Sequence, residues 1–270
     1  MNTWLIIFIL AALQGVTEFL PVSSSGHLAF LSNISGLPQE SGAAISIVLH
    51  GGSLLAIAIF YFKTLLGFLK KDQLNLLKMV IIATIPAAAA GLLLKKSGLI
   101  DVFFGDMLSV AMGFLITASL LRLTGKEKLR AKSETELKEI SLRQAITVGI
   151  AQAVAIIPGI SRSGSTIAAG ILSGIKFEAA ATFSFLLALP VIAGALLLEV
   201  VDIAKSGFQL APFSLPQLIT AFAVSAACSF ASLSLLVKII RKQKLSIFSF
   251  YLFLLGAGIM IWQIISISKG

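Results

Sequence analysis

Hydrophobic runs of about 18 to 25 residues recur along the chain, separated by short polar stretches. Each is long enough to cross a hydrocarbon core of about 30 Å as a helix. The spans must be helical, because lipid offers the backbone no hydrogen-bond partner and the runs lack the alternation of barrel strands. The pattern predicts an all-α integral membrane protein with six transmembrane helices, over about 43–62, 75–95, 100–122, 179–201, 214–237 and 246–267.

Two further apolar regions are interrupted by proline, serine and glycine. Residues 4–36 and 143–178 each hold two shorter apolar pieces, with breaks at 21–26 and 158–165. Interrupted segments at matching places in two halves indicate an internal repeat, whose broken helices surround a site near the membrane midplane. We therefore predict that each region forms a re-entrant helix pair.

One register aligns the two halves. A shift of 138 residues superposes both breaks and two of the three span pairs, while the third pair fits less well. The shift predicts a first repeat over 1–125, a charged linker over 126–142 and a second repeat over 143–270, each with one re-entrant pair and three spans. Each half then crosses the membrane an odd number of times, so the prediction is an inverted-topology repeat. The residues that match in the breaks are Gln14 with Gln152, Ser23 with Ser161, Ser25 with Ser163, and Gly26 with Gly164.

The charges support membrane insertion and give it a direction. Only 12% of residues are charged, about half the share of a soluble protein, and the net charge is +9. The predicted topology puts 14 basic residues on one side and 4 on the other. Basic loops stay in the cytoplasm, so we expect the linker inside and both termini outside. The basic excess thus has a membrane explanation, and we expect no nucleic-acid partner.

The first break carries groups suited to acid–base chemistry. Gln14 and Glu18 are four residues apart and share a helix face. An ionisable residue within a membrane segment is costly, which favours a functional role for Glu18. Pro21 cannot continue the helix, and the serines over 23–25 stand where hydroxyls cap the next one. His27 follows in the first turn of that helix.

The second break carries groups suited to binding an anion. Ser161, Arg162 and Ser163 open a helix, whose free N–H groups and positive dipole end favour phosphate. The Arg162 guanidinium adds a fork of donors that fits phosphate oxygens, and unpaired in the bilayer it would cost several kcal/mol. If the breaks meet, an acid–base group, an oxygen nucleophile and a cationic clamp form a phosphoryl-transfer site.

The strings Gln14–His27 and Pro158–Thr166 resemble the two signature motifs of the undecaprenyl-diphosphatase family, the bacitracin-resistance lipid pyrophosphate phosphatases. The resemblance covers essentially the whole chain. One departure is Gln14, where many members have glutamate. The resemblance implies a hydrolase of the bacterial plasma membrane that converts undecaprenyl pyrophosphate to undecaprenyl phosphate and inorganic phosphate, recycling the lipid carrier of peptidoglycan synthesis.

The resemblance also implies residue roles. His27 would act as general acid/base or partner of the nucleophile, Ser24 as candidate nucleophile and Arg162 as phosphate clamp. Glu18, with Gln14, would hold a divalent cation, Mg²⁺ or Ca²⁺, or would orient His27; no organic cofactor is expected. Whether serine, histidine or water attacks is left open. The residues expected to bind phosphate oxygens are Ser23, Ser25, Ser161, Ser163 and Thr166.

Other interpretations of the same residues exist. Glu18 could be a purely structural polar group, and Arg162 could belong to a structural ion pair. The serines could be simple helix caps, and His50 is expected to be a packing or pocket-edge residue. Inverted repeats with broken helices also occur in transporters, so a transporter or flippase of a lipid phosphate or other anion is the main alternative. A phosphatase for a lipid of different chain length is another. The sequence says nothing about oligomeric state.

Overall fold

The structure, a computed structural model, describes residues 3–35, 42–68, 70, 73–126, 133–206 and 213–269. These residues are helical apart from turns and one isolated parallel bridge between Thr135 and Ile175, which confirms the prediction of an all-α fold. A 3₁₀ turn covers Leu137–Glu139. The helices are α1 Thr3–Phe19, α2 Ser24–Ser35, α3 Gly42–Phe60, α4 Phe62–Gly67, α5 Leu74–Ser97, α6 Leu99–Gly105, α7 Met107–Leu123, α8 Leu142–Val154, α9 Arg162–Leu172, α10 Phe177–Ser206, α11 Leu215–Arg241 and α12 Ile247–Lys269.

Four helices are long and apolar enough to cross a membrane, namely α5, α10, α11 and α12. Three shorter apolar helices accompany them: α1, the Ile45–Phe60 part of α3, and α7. Many large apolar side chains on these helices are exposed, among them Leu93, Leu197 and Phe250. Acyl chains would cover such side chains. The chain is a multi-pass membrane protein.

The predicted continuous span over 100–122 is wrong, because the structure divides it into α6 and α7 at Asp106. Asp106 has an extended backbone, and its carboxylate accepts hydrogen bonds from the backbone N–H groups of Leu108 and Ser109. This is an N-cap, which satisfies donors at the start of a new helix. Within the predicted linker, residues 127–132 lie outside the described part of the chain.

The two predicted breaks are present and share a serine cap, with a left-handed backbone at Ser23 (φ +66°) and an extended one at Ser161 (φ −74°). α1 ends at Phe19 before α2, and α8 ends at Val154 before α9. The Ser23 hydroxyl accepts from the Gly26 N–H at 3.3 Å, and the Ser161 hydroxyl accepts from the Gly164 N–H at 3.1 Å. These caps stand at positions 138 residues apart, the register predicted from the sequence.

Helix packing brings the two breaks together. α1 lies against α11, α7 against α12 and α5 against α8, while α2 contacts α7 and α9 contacts α7, α8 and α10. A Cβ on Gly26 would lie 2.9 Å from the Gly159 Cα. Gly159 has a φ of +87°, and a Cβ there would lie 2.1 Å from the Val110 carbonyl oxygen. Only glycine allows this approach, which holds the start of α2 beside the 158–160 turn.

Candidate active site

A buried ion pair joins the two halves of the chain. The Arg162 Nη2 donates to the Glu18 Oε1 at 2.6 Å, and the two side chains are 14% and 7% exposed. Glu18 stands near the end of α1, and Arg162 is the first residue of α9. The predicted meeting of the two breaks at these residues is therefore observed.

Two neutral groups complete the hydrogen bonding of the Glu18 carboxylate. The Gln14 Nε2 donates to Oε2 at 2.9 Å, as expected for residues that share a helix face, and the Ser24 hydroxyl donates to the same oxygen at 2.7 Å. The ring of Phe19 lies beside the Arg162 guanidinium, 6.0 Å from centroid to Cζ. The carboxylate is thus fixed by three donors, one of them charged, and Ser24 is held by a proton acceptor.

A small polar cavity of about 40 Å³ lies between the two breaks. It is large enough for a water molecule and too small for a pyrophosphate. A substrate phosphate must therefore displace side chains or bind at the mouth of the cavity. Its lining residues are Glu18, Ser23, Ser24, Ser25, Ala155, Ile160, Ser161 and Arg162.

Two residues bonded to the Glu18 carboxylate each have a buried polar atom without a hydrogen-bond partner among the described residues: the Arg162 Nη1 and the Gln14 Oε1. A buried donor or acceptor without a partner costs about 1–3 kcal/mol, and more when it is charged. Buried polar atoms without a partner are rare in native structures, and a bound ligand is one explanation for them. Arg162 offers a cationic donor that suits a phosphate oxygen, and Gln14 offers an oxygen that suits a cation or a donor.

His27 is held at the edge of this arrangement. Its Nδ1 lies 2.8 Å from the Ser23 carbonyl oxygen, and its Nε2 lies 2.6 Å from the Tyr251 hydroxyl. Because a carbonyl only accepts, Nδ1 carries a proton, and in the neutral ring Nε2 accepts from Tyr251. The ring also stacks on Tyr251 and meets the edge of Phe114. The Glu18 carboxylate is bonded to Gln14, Ser24 and Arg162 and not to His27. No hydrogen bond between described residues therefore supports the expectation that Glu18 orients His27.

The structure sorts the other predicted residues into two groups. Ser23, Ser25 and Ser161 line the cavity, whereas Ser163 and Thr166 face the protein interior. The Ser163 hydroxyl donates to the Leu20 carbonyl at 3.0 Å, which ties α9 to the first break. The Thr166 hydroxyl donates to the Arg162 carbonyl at 2.7 Å and stabilises the first turn of α9.

His50 does not line this cavity, but it is close enough to Glu18 for the two charges to interact. Its Nδ1 is 3.0 Å from the Ser46 carbonyl oxygen, and the Ser46 hydroxyl donates to Glu199 at 3.1 Å. These bonds join α3 to α10. The expectation that His50 is a packing or pocket-edge residue stays a prediction.

Three supporting residues carry no signal in the sequence. Tyr251 bonds His27 from α12, more than 200 residues away along the chain. In the sequence, Phe19 cannot be distinguished from the other apolar residues of α1. The Thr117 hydroxyl accepts from the Ser161 N–H at 2.9 Å and lies 3.3 Å from the Gly159 carbonyl. All three are placed by tertiary packing, which no local spacing reveals.

A model of the family described as Bacitracin resistance protein BacA matches residues 7–258, a range that includes both breaks. The chain belongs to the BacA family. Its curated relatives include an undecaprenyl-diphosphatase of Methanosphaera stadtmanae, which is 34% identical over 95% of this chain and 97% of its own length. The undecaprenyl-diphosphatase of Carboxydothermus hydrogenoformans is 36% identical, with 94% and 95% covered. That of Halothermothrix orenii is 37% identical, with 97% and 98% covered. The resemblance seen in the two motifs is thereby confirmed, and it extends over 95–98% of the length of these relatives.

Proposed function

We propose that this chain hydrolyses undecaprenyl pyrophosphate to undecaprenyl phosphate and inorganic phosphate, and so confers bacitracin resistance. The family match and the names of the relatives favour this hydrolase over a transporter or flippase. The observation that carries the proposal is the pairing of Arg162 with Glu18 at the start of α9, with the second guanidinium nitrogen left without a partner among the described residues. The substrate is a polyprenyl lipid that reaches the site within the bilayer.

Arg162 and α9 supply the clamp for the terminal phosphate. The guanidinium keeps one amino group on Glu18 and offers Nη1 to a phosphate oxygen. The N-terminus of α9 adds its positive dipole end beside the same cavity. Both lie in a site largely shielded from water, where they favour the charge that develops as phosphorus changes partners. Clamping and electrostatics are the main requirements of phosphoryl transfer.

Ser24 is the nucleophile that the geometry favours. Its hydroxyl donates to the Glu18 carboxylate at 2.7 Å, so a proton acceptor is in place. In this step the Ser24 oxygen bonds to the terminal phosphorus, its proton passes to Glu18, and the bond from that phosphorus to the bridging oxygen breaks. Undecaprenyl phosphate leaves with the bridging oxygen. Water then attacks the phosphorus, the bond to Ser24 breaks, the proton held by Glu18 returns to the Ser24 oxygen, and phosphate is released. His27 Nε2 takes the proton of that water after giving up its bond to the Tyr251 hydroxyl.

Among the described residues no group of three or more His, Cys, Asp or Glu side chains could hold a metal ion on its own, so a divalent cation of the Mg²⁺ or Ca²⁺ type would be held by Glu18 and Gln14 together with the substrate phosphates. Glu18 and Gln14 offer hard oxygen donors, and the Gln14 Oε1 has no partner in the described chain. Magnesium is commonly held by one or two carboxylates together with substrate phosphates. A cation held by Glu18 and Gln14 would neutralise pyrophosphate charge. The neutral Gln14 amide would bind it more weakly than the glutamate of many relatives.

We also propose the finer architecture: two re-entrant pairs, α1–α2 and α8–α9, and six spans in an inverted repeat. The spans are α3, α5, α7, α10, α11 and α12, with α7 replacing the predicted span over 100–122. The matching caps of Ser23 and Ser161 support it. So does the length of α2 and α9, whose 12 and 11 residues give about 16–18 Å each, too short to span a bilayer. The bias of basic residues places both termini outside the plasma membrane.

This topology predicts which loops a membrane-impermeant thiol reagent reaches. In a Cys228→Ala background, Lys126→Cys should be labelled only after permeabilisation, because the linker is inside. The matched control, Ser97→Cys at the exposed end of α5, should be labelled on intact cells. The reverse pattern would contradict the proposed orientation.

The reaction itself is tested by phosphate release from undecaprenyl pyrophosphate, using the purified full chain in detergent. We expect turnover without any membrane gradient, a loss of at least about tenfold in EDTA, and recovery on adding Mg²⁺ or Ca²⁺. Comparison with a C15 pyrophosphate measures the preference for chain length. Absence of release would reject the hydrolase, whereas release that EDTA leaves unchanged would reject only the cation.

A further inference from the structure

A second cavity, of about 640 Å³, lies between α7, α8 and α9. It shares no lining residue with the cavity between Glu18 and Arg162. We call it the α7–α9 groove. Its volume is within the usual range of ligand sites, about 300–1,000 Å³.

The α7–α9 groove is polar and basic at one end. Ser141 caps α8, and Arg143 stands in the first turn of that helix. The Gln144 Nε2 donates to the Ser173 carbonyl at 3.1 Å, so the start of α8 meets the end of α9 at this point. Arg143 is exposed and lines the groove. An anion at this end would meet a guanidinium and a helix N-terminus.

The inner end is apolar except for one hydroxyl. Ala151 lies eight residues beyond Arg143, about 12 Å along α8, and Leu120 and Ala169 complete the walls. Ser165 also lines this end and is 3% exposed. Its hydroxyl has no hydrogen-bond partner within the described part of the chain. A buried hydroxyl without a partner points to a ligand or water in the groove.

The flanks of the groove face lipid. Ile116 on α7, and Ile146 and Ile150 on α8, are exposed. A molecule in the groove is therefore reached from the bilayer, and it needs a negative head and an apolar tail. Basic pockets between transmembrane helices on the cytoplasmic side bind anionic lipid head groups. The leaflet concerned is the linker-side one in the proposed topology.

We propose that the α7–α9 groove binds an anionic phospholipid of the linker-side leaflet. Its phosphate lies at Arg143, its ester oxygens pass Ala169 and reach Ser165, and its acyl chain continues past Leu120 and Ala151. This lipid is distinct from the polyprenyl substrate, and its site does not depend on the proposed hydrolase activity.

The test is native mass spectrometry of the full chain in detergent, titrated with phosphatidylglycerol. We expect one phosphatidylglycerol to bind more tightly than phosphatidylcholine of the same acyl chains. Arg143→Gln should weaken phosphatidylglycerol binding about fivefold, the effect of losing one basic side chain near a lipid phosphate. Ser165→Ala should weaken it by a similar factor through a lost hydrogen bond. Arg241→Gln, an exposed basic residue at the end of α11, is the matched control and should change nothing.

Three outcomes would overturn the proposal. Equal binding of phosphatidylcholine would remove the anionic selectivity. An equal loss in Arg241→Gln would show diffuse attraction to a basic surface. Displacement of the lipid by excess inorganic phosphate would assign the groove to the free ion.

Discussion

Replacing Arg162 with alanine should lower kcat for phosphate release about a thousandfold. The expected size follows from removing one charged donor from a preorganised anion site, which costs about 10²–10³, and from arginines in phosphoryl transfer, which contribute about 10³–10⁵. In this structure the Arg162 Nη2 is committed to Glu18, and Nη1 is buried without a partner among the described residues. The measurement is steady-state turnover of undecaprenyl pyrophosphate by purified variants in detergent.

Alanine also leaves Glu18 as an unpaired buried charge, which can destabilise a protein by about 3–5 kcal/mol. Arg162→Lys separates the two effects. Lysine keeps the ion pair with Glu18 but loses the planar fork, and with it the Nη1 donor. We expect near-normal thermal stability with kcat still reduced at least about a hundredfold. The matched control is Arg241→Lys, at an exposed arginine 3.8 Å from Glu178, which should stay fully active. Full activity of Arg162→Lys would contradict the clamp role and would leave Arg162 only a structural role in its ion pair with Glu18.

The length and spacing of the apolar runs were enough to predict most of the helices. Runs of apolar residues show where helices cross lipid, and the two breaks stand out because proline and clustered serines end a helix whatever surrounds them. The division at Asp106 was missed, since the apolar run continues on both sides of one carboxylate. Local hydrogen bonds decided that point: two backbone N–H groups and the Ser109 hydroxyl bind Asp106. Hydropathy averaged over a window does not register a single cap.

The site could be predicted as a set of residues but not as a geometry. Glu18 and Arg162 were identified because charge within a membrane segment is costly, and they do meet. The bonding of His27 could not be foreseen, because Tyr251 sits in an ordinary lipid-facing helix and only the contact between α2 and α12 gives it a role. Ser163 and Thr166 belong to the same motif as Arg162. The helical turn directs them into the protein, where they tie α9 in place.

The division of labour between the halves explains why the breaks match in structure and differ in chemistry. Both need a serine cap, because each starts a helix inside a membrane protein where no water serves the first N–H groups. The residues that follow the caps are not needed to cap the helix, so they can differ between the two halves. Position 24 is serine in the first break and its counterpart, 162, is arginine in the second. The two then meet at the Glu18 carboxylate, which binds both.

Replacing Ser24 with alanine should lower kcat at least about a thousandfold, if its oxygen forms the covalent intermediate. The fold should tolerate the change, because Glu18 keeps its bonds to Gln14 and Arg162. Ser25→Ala is the matched control. Ser25 lines the same cavity, but its hydroxyl lies 3.3 Å from that of Ser23 and has no bond to Glu18. We expect Ser25→Ala to cost at most about tenfold, the size of one hydrogen bond.

The same series separates the three possible nucleophiles. His27→Ala should lower kcat about a hundredfold, as expected when a general base is lost. Tyr251→Phe, which removes only the hydroxyl that occupies Nε2, should keep kcat within about tenfold of the parent. If Ser24→Ala keeps near-parental turnover, Ser24 is not the nucleophile, and either water or His27 attacks the phosphorus. Turnover of His27→Ala then decides between them, because a histidine nucleophile leaves no activity and a water nucleophile leaves a measurable remainder.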